Sequence, residues 1–417
     1  MKVVIIAGGK GTRIASVNNE IPKAMIPVGG KPVIELQVEM ACVQGFREFV
    51  FVIGHLGHII EDYFGDGSRW GASITYYKET MPLGTAGALA DLRDVLTDDF
   101  FVLYGDTVMD IDMHAMLRFH QEHNSDMTLY VHPNDHPFDS DIVMLDAQKR
   151  VQRIEAKPHP DGFVSPNVVN AALFVFSPRV LGLIQQGMKS HIEKHIIPRC
   201  LEHGLNVYGY LAHEYIKDMG TPERYEKVCA DWNSGRVKAM NRANKAKAVF
   251  LDRDGVINKD NGLVYKPEQI ELVDGIERAL NYIHDKGYLA VVVTNQSVIA
   301  RNLCTFEELN TINDTIETFL GKEHSYFDAL YFCPHHPDGG YPEERKEYKI
   351  KCNCRKPAPG LLLQAAEDLN IDLLQSYMIG DRDSDVEAGR NAKVKKSVKV
   401  ETNNGEQLME VLTKILN

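Results

Sequence analysis

The sequence lacks any apolar run of the ~20 residues that a membrane-spanning helix needs, so no membrane partner is expected. It lacks a secretory signal pattern, because residues 1–7 form a short apolar stretch that runs straight into a glycine loop with no cleavage site. It lacks a basic excess. With 46 Lys and Arg against 58 Asp and Glu, the formal net charge is −12. That argues against a general nucleic-acid binder but leaves local Lys and Arg free to hold small anions. Cysteine is sparse and odd in number, at seven, and three of them (Cys333, Cys352, Cys354) crowd one stretch with His335 and His336. Without export signals, such clustering points to metal before disulfide. The expected location is the cytoplasm.

What is present divides in two. A length of 417 residues predicts two or three domains. An apolar strand run followed by a turn occurs twice: residues 2–7 before Gly8-Gly9-Lys10-Gly11, and residues 248–251 before Asp252-Arg253-Asp254-Gly255. Between them, residues 232–247 lose apolar periodicity and are rich in Lys, Arg and Asn. This predicts a domain over 1–236, a linker over 237–247 and a second domain over 248–417. Short β-branched runs near 48–53, 73–77, 100–104, 127–131, 289–294, 329–333 and 377–379 alternate with amphipathic stretches. The expected class is α/β, with two doubly wound, mostly parallel domains. Ligands in such sheets sit at the carboxyl ends of strands, where the motifs fall.

In the first half, Gly8-Gly9-Lys10-Gly11-Thr12-Arg13 follows the opening strand. Small residues there let backbone N–H groups approach phosphates, and a helix start favours negative charge. It is no dinucleotide fingerprint, since Ile14 stands where a third glycine should be, and no Gly-Lys-Ser/Thr of a Walker loop follows. Alone, a tight strand–helix turn would account for it. Further motifs accompany it: Ile21-Pro22-Lys23, Pro27-Val28-Gly29-Gly30-Lys31-Pro32, Pro82-Leu83-Gly84-Thr85-Ala86-Gly87, Tyr104-Gly105-Asp106 and Lys217-Asp218-Met219-Gly220-Thr221-Pro222.

In order and spacing this set resembles the sugar-1-phosphate nucleotidyltransferases, over roughly residues 1–230. The resemblance implies a Rossmann-like, GT-A-like fold. It implies attack of a sugar 1-phosphate oxygen on the α-phosphorus of a nucleoside triphosphate, with pyrophosphate leaving. Such transfer rests on positioning and charge neutralisation. Arg13 and Lys23 would neutralise the triphosphate, with Gly8, Gly9, Gly11 and Thr12 around it. Asp106 and Asp218 would hold Mg²⁺, a hard cation with oxygen ligands. Gly84 and Thr85 would pass close to the base or sugar, Lys157 would contact the sugar phosphate and Asn170 the sugar. One departure stands out. The family's Glu-Lys-Pro is here Glu155-Ala156-Lys157-Pro158, so Ala156 stands where a sugar-binding carboxylate would be, and Glu155 replaces it only if the loop shifts. His55-Leu56-Gly57-His58 spells the motif of another nucleotidyltransferase superfamily, but it follows the second strand and reads as a strand–helix connection.

In the second half, Asp252 and Asp254 stand at i and i+2 on an extended segment and face one side. That suits a nucleophile and a general acid/base, with an acyl phosphate between. An EF-hand calcium loop is excluded, because no ligand Glu follows at its spacing. Thr294-Asn295 ends an apolar strand and can bind phosphoryl oxygens. Arg355-Lys356-Pro357 supplies cations, and Gly380-Asp381-Arg382-Asp383-Ser384-Asp385 supplies carboxylates for Mg²⁺.

These elements resemble the haloacid-dehalogenase-type phosphatases over residues 248–400. The resemblance implies Asp252 as nucleophile, Asp254 as acid/base and Lys356 as stabiliser of phosphoryl charge. It places Mg²⁺ on Asp252, the Asp254 carbonyl and Asp381, and gives Asp385 an orienting role. Only 42 positions separate Asp252 from Thr294, which leaves no room for a cap domain and predicts an open site. Asp-Arg-Asp-Gly-Val-Ile-Asn, Thr-Asn-Gln-Ser and the Cys333-Pro334-His335 to Cys352-Asn353-Cys354 loop narrow the resemblance to the heptose bisphosphate phosphatases and their histidinol-phosphate relatives. That implies a closed, tetrahedral structural Zn²⁺ site on Cys333, His335, Cys352 and Cys354, with His336 as a competing ligand. Gly339, Gly340 and Pro342 mark the loop between. The relatives have Gly where Val298 and Asn302 stand.

Fusion of the two implies consecutive steps of nucleotide-activated heptose biosynthesis. The 7-phosphate leaves D-glycero-D-manno-heptose 1,7-bisphosphate, and a nucleotidyl group, GMP from GTP, then joins heptose 1-phosphate. The base is inferred from the order of steps toward GDP-heptose for surface polysaccharide, and no residue specifies it. The alternative is a histidinol-phosphate-type or other sugar phosphatase fused to a UTP-, CTP- or dTTP-dependent hexose-1-phosphate nucleotidyltransferase. Expected partners are a nucleoside triphosphate and a sugar phosphate; the oligomeric state is not legible, and a homo-oligomer is compatible.

Overall fold

The computed structural model describes residues 1–9, 20–338 and 343–417. The expectations on Lys10, Gly11, Thr12, Arg13, Gly339, Gly340 and Pro342 lie outside them. The chain forms two compact units. The first comprises Met1–His132, Asp141–Lys157 and Val169–Ala243; the second comprises Pro133–Ser140, Pro158–Val168 and Asn244–Asn417. The final crossing thus falls after Ala243, within the span expected as linker, whose first residues lie in the helix Arg236–Ala239 with Val237 buried. The two short segments from the first half pack on the helix Phe306–Lys322: Ser165 N donates to Thr318 Oγ1 at 3.2 Å and Asn167 N to Glu317 Oε2 at 2.5 Å.

The first unit is built on a nine-stranded sheet. Lys2–Ile6 and Glu48–Ile53 read as near-continuous β-branched and aromatic runs because both of their faces are covered. They pair in parallel with each other, Ser73–Lys78 joins beyond Glu48–Ile53, and Phe100–Tyr104 lies on the other side of Lys2–Ile6. There the expected parallel order stops. Val169–Phe176 runs antiparallel to Phe100–Tyr104 and carries Met127–His132 along its far edge. Ile142–Leu145 and Val151–Glu155 form an antiparallel pair. Only residues 146–150 join that pair, enough for a hairpin and too few for a crossover helix. A separate pair, Thr107–Asp110 with Tyr215–Asp218, brings the chain after Asp106 beside Asp218.

The second unit is a five-stranded parallel sheet in the order Ala329–Cys333, Leu289–Asn295, Ala248–Leu251, Tyr377–Gly380, Lys396–Lys399. Alternation along Ala248–Leu251 sends Val249 and Leu251 to one face, under helices Ile276–Asp285, Phe306–Lys322 and Gly405–Leu416. Ala248 and Phe250 go to the other, under Gly360–Asp368 and Asp383–Asn391. This is the doubly wound arrangement. Thr305 and Glu308 start the longest of these helices with a reciprocal capping box. Among the described residues no helix is long and apolar enough to cross a membrane.

Candidate active sites

In the first unit a cavity of about 370 Å³ opens at the carboxyl ends of the central strands, lined among others by Gly8, Gly9, Lys23, Thr85, Tyr104 and Asp106. Lys23, in a short 3-10 turn after Pro22, ion-pairs with Asp106, which follows Phe100–Tyr104. Met219 N donates to the Asp106 carbonyl at 3.1 Å, which ties the Asp218 segment to the same place. Asp218 accepts from Gly220 N at 2.6 Å and from Arg224 NH1 at 2.9 Å. Burial works against its charge, but the Arg224 guanidinium, Lys23 and the Gly220 N–H outweigh it and hold the carboxyl below its ordinary value. Arg224 was not foreseen; a cation six residues after an aspartate, across a helix start, was the available signal.

Gly84 adopts φ +77°, and a Cβ there would lie 2.3 Å from the Ser190 carbonyl, so only glycine fits. Thr85 Oγ1 accepts from Ile192 N at 2.9 Å, so the loop and the segment after Ser190 are locked together. A Cβ at Gly8 would lie 2.2 Å from Glu79 Oε2, which brings an unforeseen carboxylate into the cavity wall. Burial pushes the Glu79 carboxyl up. Lys157 N donates to Asp141 Oδ1 at 3.1 Å, and Asn170 stands on Val169–Phe176. His55 and His58 are exposed and do not line the cavity.

In the second unit the loops after four parallel strands converge. Asp252 follows Ala248–Leu251, Thr294 and Asn295 end Leu289–Asn295, Cys333 ends Ala329–Cys333, and Asp381 follows Tyr377–Gly380. Lys356 Nζ lies 2.9 Å from Asp252 Oδ1 and 2.7 Å from Asp385 Oδ1, and donates to the Val293 carbonyl at 2.7 Å. Burial alone would discharge this ammonium; the two carboxylates outweigh it and raise its pKa. For Asp252, burial and the Asp385 charge push up while Lys356 pulls down, with a net rise. Asn295, expected on phosphoryl oxygens, spends its side-chain amide on the Lys356 backbone, accepting from the N–H and donating to the carbonyl at 3.0 Å each.

Asp254 is held by three side chains: Arg253 through Nε at 3.0 Å and NH2 at 2.8 Å, Asn258 through Nδ2 at 3.0 Å and Gln296 through Nε2 at 2.8 Å. Burial opposes its charge, yet Arg253 and the amides win and lower its pKa. Arg253 is fully buried, and its other nitrogen NH1 donates to Asn313 Oδ1 at 3.1 Å. Thr294 Oγ1 accepts from Gln296 Nε2 at 2.9 Å. Oxygens of Asp252, Asp381 and Asp385 lie within 4.8 Å of one another. Asp381 Oδ1 is buried without a hydrogen-bond partner, while its Oδ2 accepts from Thr402. That orphaned oxygen in a carboxylate cluster fits a hard cation. Asp385, foreseen only as orienting, thus stands both in the carboxylate group and on Lys356.

Cys333, His335, Cys352 and Cys354 converge as a second group, with Sγ–Sγ separations of 3.1–3.5 Å and His335 Nδ1 3.3 Å from Cys354 Sγ. His336 faces elsewhere, its Nδ1 3.1 Å from the Asp338 carbonyl. Arg355 N donates to Cys352 Sγ at 3.3 Å, and its NH1 to the His335 carbonyl at 3.0 Å, so this cluster sets the chain just before Lys356. Asn302 adopts φ +55°, a left-handed conformation that Asn tolerates, and Val298 packs with Ile299, Cys304 and Leu309.

Comparison with known proteins accords with this division. Residues 2–234 match the nucleotidyl transferase family, and residues 353–410 the HAD-hydrolase-like family. The D-glycero-beta-D-manno-heptose-1,7-bisphosphate 7-phosphatase of Haemophilus ducreyi is 44% identical over 157 residues, 37% of this chain and 84% of that protein. The Escherichia coli K12 protein of the same name is 41% identical over 160 residues, 38% of this chain and 82% of its own. A Bacillus anthracis structure assigned as a glucose-1-phosphate thymidylyltransferase superposes with TM-score 0.50 at 20% identity, over 55% of this chain and 94% of its own; this likeness concerns the fold alone. The chain therefore belongs to the nucleotidyl transferase family through its N-terminal part and, through its C-terminal part, to the HAD-like hydrolases that include these phosphatases, and it is a bifunctional transferase and hydrolase.

Proposed function

We propose that the phosphatase unit removes the 7-phosphate of D-glycero-D-manno-heptose 1,7-bisphosphate, and that the transferase unit then joins heptose 1-phosphate to a nucleotide, GMP from GTP, releasing pyrophosphate. The observation that carries the reading is the buried Asp252–Lys356–Asp385 arrangement, in a chain 44% identical to a heptose bisphosphate phosphatase over most of that protein's length. An Asp252 oxygen attacks the phosphorus, the phosphorus–oxygen bond to the sugar breaks, and Asp254, whose lowered pKa the negative phosphate beside it raises again so that it holds a proton, delivers that proton to the departing oxygen. Water that gives its proton to Asp254 then splits the acyl phosphate and returns Asp252. Lys356 holds its charge against the phosphoryl oxygens throughout, with Thr294 and Arg355 around them. Mg²⁺ held by Asp252, the Asp254 carbonyl and Asp381 would add positive charge there.

In the transferase unit, Lys23 and the Gly8-Gly9 backbone neutralise and orient the triphosphate, and Arg13, Gly11 and Thr12 share that role. Asp106 and Asp218 come from adjacent segments and suit Mg²⁺, which is commonly held by one or two carboxylates plus substrate phosphates. The Cys333, His335, Cys352, Cys354 set is a structural Zn²⁺ site, its three sulfurs and one nitrogen suiting tetrahedral zinc. The substrates are those of the cytoplasm, and the reading calls for no nucleic acid and no membrane.

The test is incubation of the chain with heptose 1,7-bisphosphate, Mg²⁺ and GTP, ATP, UTP, CTP or dTTP in turn, read by mass spectrometry, beside a phosphate-release assay on histidinol phosphate. Phosphate release with GDP-heptose from GTP is expected. Preference for histidinol phosphate, or a nucleotide sugar from another base only, would overturn the assignment.

A further inference from the structure

The transferase unit has no carboxylate at Ala156, and Glu155 does not make good the loss. Its Oε1 lies 2.5 Å from Arg153 Nε in a solvent-facing pair. Glu193 stands differently. It lies in the π-helical turn Ile192–Ile196, a form frequent at functional sites. Ile192 N, donating to Thr85 Oγ1, fastens that turn to the Gly84 loop. Glu193 Oε1 accepts from Tyr104 OH at 2.6 Å and lies 3.5 Å from Asn170 Nδ2. Tyr104 and Thr85 also line the cavity that contains Lys23 and Asp106.

One acceptor at this spot is without a partner, and its neighbour can accept more than it does. An ionised carboxylate offers about four acceptor positions, and a phenol with one long amide contact fills few of them. Asn170 Oδ1 is buried with no hydrogen-bond partner at all. Burial pushes the Glu193 carboxyl up, despite Tyr104. A buried acceptor left open is costly, and Asn170 Oδ1 beside a carboxylate with acceptor positions to spare matches the paired hydroxyl donors of a sugar ring. We propose that Glu193 is the sugar-reading carboxylate of the transferase site, accepting from hydroxyls of the sugar 1-phosphate while Asn170 Oδ1 accepts from a further one. Tyr104 orients Glu193, and the carboxylate thereby comes from the turn after Ser190 and not from position 156. The inference rests on the transferase reading above.

The experiment compares wild type, Glu193→Gln and Glu193→Ala in steady-state nucleotidyl transfer with heptose 1-phosphate and GTP. Deoxy forms of the sugar are assayed one hydroxyl at a time, and melting temperature and GTP binding report on folding. Glu193→Gln should raise the KM for sugar 1-phosphate by about 10- to 100-fold and leave the KM for GTP within about twofold, as expected for a contact made to the sugar alone. At least one deoxy sugar that the wild type discriminates against should be used by Glu193→Ala as well as the parent sugar is. Tyr104→Phe should show a smaller rise of the same kind. A sugar KM that does not move in a folded Glu193→Gln, or a parallel rise in both KM values, would overturn the proposal. A wild-type chain that transfers a nucleotide to no sugar 1-phosphate would overturn the transferase reading with it.

Discussion

The Lys356 ammonium lies 2.9 Å from Asp252 Oδ1 in a pocket where neither side chain is more than 8% exposed. Such a charge is stable there only because Asp252 and Asp385 flank it. Lys356→Met leaves two buried carboxylates facing each other without a cation. Phosphate release should fall about 100-fold or more, and the phosphatase unit should lose about 3 kcal/mol, with nucleotidyl transfer unchanged. Phosphate assay and thermal melting check both; an active phosphatase would remove Lys356 from the chemistry.

The cysteine cluster holds the chain that leads into Lys356, through the Arg355 contacts to Cys352 and His335. Metal analysis should find about one zinc per chain. Cys352→Ser should lower zinc content and phosphatase activity together and spare transfer. Zinc-free protein with full phosphatase activity would contradict the assignment.

These sites were legible in the sequence to the extent that their residues are contiguous. Asp252 and Asp254 lie two positions apart after a strand, and Cys352 and Cys354 sit beside Arg355-Lys356, so local pattern and the strand-end rule place them. Four of the five strands of the parallel sheet were legible for the same reason; Lys396–Lys399, with one apolar residue in four, was not. What was not legible is pairing over distance. Tyr104 meets Glu193 across 89 positions, and Arg253 meets Asn313 across 60; neither partner carries a local signature. The antiparallel side of the transferase sheet escaped too, because Val169–Phe176 is apolar at every position but Asn170 and carries no turn signal that gives its direction.

Gly84 is held by backbone geometry as well as by space. Gly84→Ala should displace the loop from Ser190 and cost about 1–3 kcal/mol, with loss of transfer and retention of phosphate release. Thermal melting with both assays checks this; unchanged transfer would show that the loop tolerates a side chain.

Glu214 gives the transferase unit a pH-dependent term. Its Oε1 accepts from Asp112 N at 2.7 Å and Arg242 N at 2.9 Å, while Oε2 is buried without a partner. Burial pushes its pKa up to about 7, against the pull of those N–H groups. The folded state therefore holds the proton more tightly than the unfolded chain. This contribution is complete below the unfolded value, ~4.3, and is lost as pH rises through about 7. It amounts to at most about 4 kcal/mol. Glu214→Gln keeps an acceptor and removes the titration, so the wild-type melting temperature should fall relative to the variant's between pH 5 and pH 8. Parallel curves would contradict the burial assigned to Glu214.

The central claim is that one chain carries two chemically independent sites acting in sequence, and the Asp252→Asn and Asp106→Ala variants test it most directly. Each variant is given heptose 1,7-bisphosphate or heptose 1-phosphate with GTP, and both phosphate and nucleotide sugar are measured. Asp252→Asn should release no phosphate and make nucleotide sugar only from the monophosphate. Asp106→Ala should release phosphate and make none, and a mixture of the two should restore synthesis from the bisphosphate. Loss of both activities in a folded Asp252→Asn, or persistent transfer in Asp106→Ala, would contradict the account.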